Sequence, residues 1–234
     1  MKELTFTNGR LKYLEGSLEA NPSFLIEMDD KSQWISSGYA FVENTEKATV
    51  RFRCGDKLDE LLDSEWTTMD SVTDASSMFL GCKNLTSFEA DMSSVTNASW
   101  LFSRCKSLVS FEADMSSVAD AFEMFDGCLN LTSFKATTTS VIDARWMFNE
   151  CKNLVSFKSD MPSATNTSWM FNECKSLTTF KANMPLVILA YSMFNKCESL
   201  SSFELKIPFT ADTTRMFNGS SLLANSNMTI NIGE

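Results

Sequence analysis

Val72-Thr73-Asp74-Ala75-Ser76-Ser77-Met78-Phe79-Leu80-Gly81-Cys82-Lys83-Asn84-Leu85-Thr86-Ser87-Phe88 decides the fold, because its pattern returns every 23 residues. Cysteine is the ruler: Cys82, Cys105, Cys128, Cys151, Cys174 and Cys197 are evenly spaced. The same step carries the pair Met78-Phe79 to Met216-Phe217, with Leu101 as the one exchange at the first position. It also carries Leu85 to Leu223 and Phe88 to Phe203. A fixed period of this length is the mark of a repeat architecture.

The spacing changes character inside each unit. From Val72 through Ala75 and Met78 to Cys82 the apolar residues fall three or four apart, which predicts a short helical or 3₁₀ turn. From Phe88 through Ala90 to Met92 they alternate, which predicts a strand. One unit has too few core side chains to offset the ordering of its own backbone, so its neighbours must bury both of its sides. The expected product is an α/β repeat solenoid, right-handed and leucine-rich-repeat-like. Its strands stack into one parallel sheet at about 4.7–4.9 Å per rung.

The pattern Val-x-x-Ala-x-x-Met-Phe-x-x-Cys-x-x-Leu resembles the repeat of BspA-like leucine-rich-repeat surface proteins. It is most similar to their mycoplasma-lipoprotein branch, V-T-x-M-x-x-M-F-x-x-C-x-x-L-T-x-L. The resemblance covers residues 62–225. It departs from that branch at Ala75, Ala98 and Ala121, where a larger residue is usual, and in a shorter corner after the strand. The resemblance implies surface display and adhesion, and hence a binding protein.

Two segments are expected. Residues 1–60 lack the period and read as a small β-rich cap or attachment domain. Asn8-Gly9 between Leu4-Thr5-Phe6-Thr7 and Leu11-Lys12-Tyr13-Leu14 signals a hairpin. Phe24–Met28, Tyr39–Val42 and Ala48–Arg53 read as further strands. Residues 61–234 read as about seven rungs, the first starting near Leu62, with Met228-Thr229-Ile230-Asn231-Ile232 as a last edge strand.

Composition excludes some functions. With 30 acidic and 20 basic residues the net charge is −10, the reverse of a nucleic-acid binder. No apolar run approaches a membrane span, and Met1–Thr7 does not read as a signal peptide. No histidine is present, so no Ser-His or Cys-His nucleophilic pair can form. No phosphate-cradling glycine motif occurs. Glu89 and Glu112 could pair as carboxylates, but exposed carboxylates make poor acids. An enzyme is not expected, nor a cofactor.

The cysteine column points inward on every rung, which favours buried free thiols. Disulfides between neighbouring rungs and a metal site are the alternatives. Cys54 lies off the column and could be a lone free thiol. The six Asn-x-Ser/Thr sites, at Asn84, Asn97, Asn130, Asn166, Asn218 and Asn227, read as by-products of the repeat.

Outward strand positions carry the candidate binding residues. Glu89, Asp91, Glu112 and Asp114 would crowd four carboxylates together, a weak candidate Ca²⁺ site. Lys135, Lys158 and Lys181 follow in a row on the concave face, with Asp160 beside them. Trp100, Trp146 and Trp169 share a column that Glu123 interrupts, so the column should be partly exposed, as a sugar or protein contact would require. The expected function is non-enzymatic, surface-displayed recognition of a glycan or protein receptor, outside the cell or on its surface. The alternative is a structural phage-virion component, a head or tail decoration or fibre, docked through residues 1–60. Those residues would also mediate any homo-oligomer.

Overall fold

The computed structural model describes residues 73–83, 85–88 and 92–220 in full, together with the backbone of strands within 2–51 and 229–233. The repeat region is a parallel-strand β-solenoid. Its strands are β7 (Ser87–Phe88), β8 (Ser110–Ala113), β9 (Ser133–Ala136), β10 (Ser156–Lys158), β11 (Thr179–Asn183), β12 (Ser202–Pro208) and β13 (Thr229–Gly233). From β7 to β9 and from β10 to β12 each strand pairs in parallel with the residue 23 positions on, as in Phe111 with Phe134 and Phe180 with Phe203, and β13 joins β12 at a step of 25. Inward Phe and Ala alternate with outward polar residues, as the period-two pattern requires.

The expected helical turns are absent among the described residues. Between the strands the chain makes linked β-turns instead. In the first unit the N–H of Met78 donates to Ala75 (3.1 Å), Leu80 to Ser77 (3.2 Å) and Cys82 to Phe79 (3.1 Å). The third residue of two of these turns sits at positive φ, at Ser77 (60°) and Gly81 (73°), the mark of type II geometry. The pattern repeats with Trp100, Glu123, Trp146, Trp169, Ser192 and Arg215 in the first of these columns. Each flip turns an N–H along the stack. Thus Ala75, Ser77, Phe79 and Gly81 donate to Asn97, Ser99, Leu101 and Ser103 of the next rung, at 2.7–2.9 Å. Four-residue turns advance the inward positions by three and four residues, so they imitate helical spacing without forming a helix.

Two interleaved phenylalanine stacks fill the core. The column Phe79 to Phe194 and Phe217 stacks at 5.3–5.5 Å with nearly parallel rings. The column from Phe88 to Phe203 stacks at 5.5–5.9 Å. Rings of one column meet those of the other edge to face, as between Phe88 and Phe102 at 4.7 Å, the geometry that aromatic quadrupoles favour.

The strands form two parallel sheets, β7-β8-β9 and β10-β11-β12-β13, where one was expected. Thr138 stands where other rungs carry a buried Met (Met92, Met115, Met161, Met184). Its hydroxyl bonds to the Asp160 carbonyl and the Ser159 hydroxyl, both 2.8 Å away. Between β9 and β10 no strand ladder forms, and Phe134 in β9 is only half-buried.

In the N-terminal segment β1 (Lys2–Thr7) pairs antiparallel with β2 (Arg10–Tyr13) and parallel with β3 (Ser23–Glu27). Strand β4 (Gln33–Ser37), which the sequence reading missed, pairs with β3. Strands β5 (Phe41–Val42) and β6 (Val50–Arg51) pair separately. The Asn8-Gly9 turn, Leu62, Val72 and Met228 lie outside the described residues. Strand β13 pairs with β12, at the place expected for a last strand.

Phe148 touches four other core rings. Phe148→Ala is expected to lower stability by about 3–5 kcal/mol, the range for truncating a buried phenylalanine, measured by urea unfolding.

Candidate functional site

The lysine row lies on the outer face of the strands, but two of its members are occupied. Lys135 is paired with Glu112, and Lys181 with Glu204 at 2.9 Å. The hydrogen bond with Lys181 holds the Glu204 carboxyl below its usual range, and the same bond raises the lysine. Lys158, between them, has no ion-pair partner among the described residues. Asp160 accepts the Asn183 N–H at 2.8 Å. Of the candidate calcium cluster, Glu89 and Asp91 lie outside the described residues. Glu112 is engaged by Lys135, and Asp114 caps the N–H of Ser116 at 2.9 Å.

The tryptophan column occupies the left-handed turn position, which throws its side chains outward. Trp146 and Trp169 stack at 4.8 Å with rings nearly parallel, and Trp169 meets Tyr191 at 5.3 Å. Arg215 donates to the Tyr191 hydroxyl at 3.1 Å and closes the row. Trp100, 38% exposed, sits two rungs earlier. It packs edge-on against Phe122 and donates its indole N–H to Glu123. Burial, with Asp126 adding to it, raises the Glu123 carboxyl, and the indole bond opposes the rise. Arg145, clamped by Asp143, covers the Phe122 ring at 4.9 Å.

Next to Tyr191 the repeat breaks, and the sequence reading passed over this. The corner after each strand carries Ser94, Ser117, Ser140 and Ser163 on four rungs, then Leu186 and Phe209 on the next two. A second corner column holds Asp74, Asn97, Asp120, Asp143, Asn166 and Asp212, linked by parallel bridges, with Leu189 as the one aliphatic member. Each of those Asn or Asp carboxamides or carboxylates accepts the N–H two residues on, at 2.9–3.1 Å. At Leu189 that cap is missing, and the Tyr191 N–H finds no acceptor among the described residues. The gain is exposed apolar surface: Leu186 is 57%, Ile188 62%, Leu189 40% and Phe209 82% exposed. The signal was in the sequence, as a break in columns rather than as a column.

Inside, two polar ladders run along the stack. The six column cysteines are buried and in the reduced, thiol form. From Cys105 onward each Sγ–H donates to the phenylalanine carbonyl 26 residues back, such as Cys151 to Phe125 at 3.2 Å. Burial pushes the thiols of Cys128, Cys151, Cys174 and Cys197 far up. The second ladder is of asparagines. Asn218 donates to Asn195 (3.0 Å), Asn195 to Asn172 (2.6 Å), Asn172 to Asn149 (2.6 Å), and Asn149 to the Asp126 carboxylate (2.5 Å). Burial raises the Asp126 carboxyl despite that bond.

Two outcomes are expected. The ladder thiols should resist thiolate-directed reagents in the native chain and react on unfolding. Their folded pKa values lie above the unfolded one, so their contribution to stability is complete below about pH 8.5 and declines as pH rises beyond it. Urea midpoints measured from pH 7 to 10 check the sign. Asp126→Asn removes a half-buried charge while keeping an acceptor for Asn149, so it should raise the melting temperature at neutral pH and not near pH 3.

Comparison with known proteins fits this geometry. The model of the BspA type leucine rich repeat region matches over residues 71–162 and 119–234, in six copies. No curated protein and no solved structure matches the chain. Since the family model spans well over half of the sequence, the chain belongs to the BspA-type leucine-rich-repeat family.

Proposed function

We propose that this chain is a non-enzymatic protein-recognition module, displayed at a cell surface, whose contact surface is the apolar corner formed by Leu186, Ile188, Leu189 and Phe209. Surface display rests on the family, and leucine-rich repeats as a class serve protein interaction. One observation carries the choice of surface. Three departures from the repeat, Leu186, Leu189 and Phe209, coincide on two neighbouring rungs and replace small or polar side chains with exposed apolar ones, and Ile188, in a column that also holds Ile142, lies among them. One of them, Leu189, gives up a capping hydrogen bond worth about 0.5–1.5 kcal/mol. Exposed apolar clusters of this kind mark interaction sites. Tyr191 and the Trp146–Trp169 stack continue the surface and supply the aromatic side chains that dominate binding energy at protein interfaces.

A protein partner suits this surface better than a glycan. Trp146 and Trp169 each cover one face of the other, and Tyr191 meets Trp169 as well, which leaves less open ring face on which a sugar could stack.

The test is a variant that restores the repeat: Leu186→Ser, Ile188→Thr, Leu189→Asn and Phe209→Ser. Leu189→Asn alone should hold or raise stability, by up to about 1 kcal/mol, because the Tyr191 N–H regains an acceptor. On an array of extracellular proteins, the native chain should give contacts that the restored variant loses while it stays folded. Equal binding by both, or binding to a glycan array alone, would count against the proposal.

A further inference from the structure

The asparagine ladder ends at Asn218, and its end differs chemically from its interior. Asn149, Asn172 and Asn195 are buried, and each amide is held at both ends, donating through Nδ2 and accepting through Oδ1. The backbone N–H that follows each of them is also committed. Glu150 donates to Asn172, Glu173 to Asn195 and Lys196 to Asn218, at 2.8–2.9 Å. Asn218 is exposed, and its Oδ1 accepts nothing among the described residues. It is followed by Gly219, also exposed, at φ 70°. Every earlier residue of that column donates its N–H to the next rung: Gly81, Arg104, Gly127, Glu150, Glu173 and Lys196. The Gly219 N–H alone has no acceptor among the described residues.

We infer that Asn218-Gly219 is a site of spontaneous deamidation in the folded chain, and that the other ladder asparagines are protected from it. Three requirements of the reaction meet here. The nucleophile, the Gly219 backbone nitrogen, must lose its proton, and no described residue accepts a hydrogen bond from it. The electrophile, the Asn218 side-chain carbonyl carbon, must turn toward it, and among the described residues this amide is held by one bond instead of two. The following residue must leave room for ring closure, and glycine has no side chain to obstruct it. In the reaction the Gly219 nitrogen bonds to Asn218 Cγ and ammonia leaves, giving a cyclic imide. Water then opens the imide at either carbonyl, giving aspartate or isoaspartate. No oxidant or reductant is involved.

The product alters the ladder. A carboxylate at 218 cannot donate to Asn195 Oδ1 and sets two acceptors 3.0 Å apart. Isoaspartate also adds a methylene to the main chain inside the turn that Ser220 closes by donating to Phe217 at 3.0 Å. Either product loosens the last rung while leaving the inner ladder anchored on Asp126.

The test is to hold the full chain, folded, at mildly alkaline pH and to map its peptides by mass spectrometry over time. Aspartate and isoaspartate are expected at Asn218 at least about tenfold faster than at Asn149, Asn172 or Asn195. That is the rate equivalent of first breaking one buried backbone hydrogen bond. The rate should rise with pH and fall in Gly219→Ala. A native chain in which Asn218 reacts no faster than Asn195 overturns the inference. Asn218→Asp reports the consequence separately and should lower the melting temperature by roughly 2–4 °C. An unchanged value would overturn the proposed effect on the ladder.

Discussion

Ring-on-ring stacking of phenylalanine sets the terms for everything else in this solenoid. Two columns interleave, and each ring has a parallel neighbour above and below and an edge-on neighbour beside it. Ring centres lie farther apart than the strand spacing of about 4.8 Å, so the rings slip sideways over one another, the offset arrangement aromatic pairs prefer. A column of this kind accepts no insertion. A rung one residue longer would move its phenylalanine out of line and leave two faces uncovered. The strict 23-residue step is therefore a packing requirement.

The backbone obeys the same step by an unusual route. A turn normally satisfies its own N–H and carbonyl groups locally. Here the left-handed residues point alternate N–H groups at the next rung, so the turns form a ladder as continuous as that of the strands. This carries a local cost. Non-glycine residues at positive φ are strained by about 1–2 kcal/mol each. The strain is held by the bonds above and below. It falls on Trp100, Trp146 and Trp169 because the same geometry throws those side chains outward.

Much of this was legible from Val72–Phe88 alone. The period, the inward columns and the strand alternation follow from apolar spacing, since burial on both neighbouring rungs allows few polar exceptions. The turns were misread as helical because β-turns in series and a helix advance apolar residues by the same three and four positions. Nothing in Trp146 or Glu150 announces a left-handed backbone, for which glycine or asparagine is the usual signal. The break between the two sheets falls at the rung where Thr138 replaces a buried methionine, a single exchange that apolar spacing does not flag. The lysine row was visible, but its neutralisation by Glu112 and Glu204 depends on side chains reaching between adjacent strands, where sequence gives proximity and no geometry. The apolar corner was missed for a different reason. Leu186, Leu189 and Phe209 stand out only as breaks in their columns, and a break is a weaker signal than a column that repeats.

Interior and exterior of such a stack answer to different constraints. An inward position is fixed by two neighbours at once, so changing it damages three rungs. The buried polar groups show how tightly this holds: each thiol from Cys105 to Cys197 and each ladder amide finds its partner one rung away, and no buried side-chain nitrogen or oxygen among the described residues is left unpaired. Corner positions touch less, and a substitution there is felt by one rung. A repeat scaffold can therefore write a binding surface into a single corner without disturbing the stack beneath. On the proposed reading, Leu189 marks such a corner. It sits in a column whose other members cap the turn, it lacks that cap, and it leaves 40% of its surface exposed to solvent. A residue that weakens its own fold locally and offers its side chain outward has its explanation outside the chain, in whatever covers it.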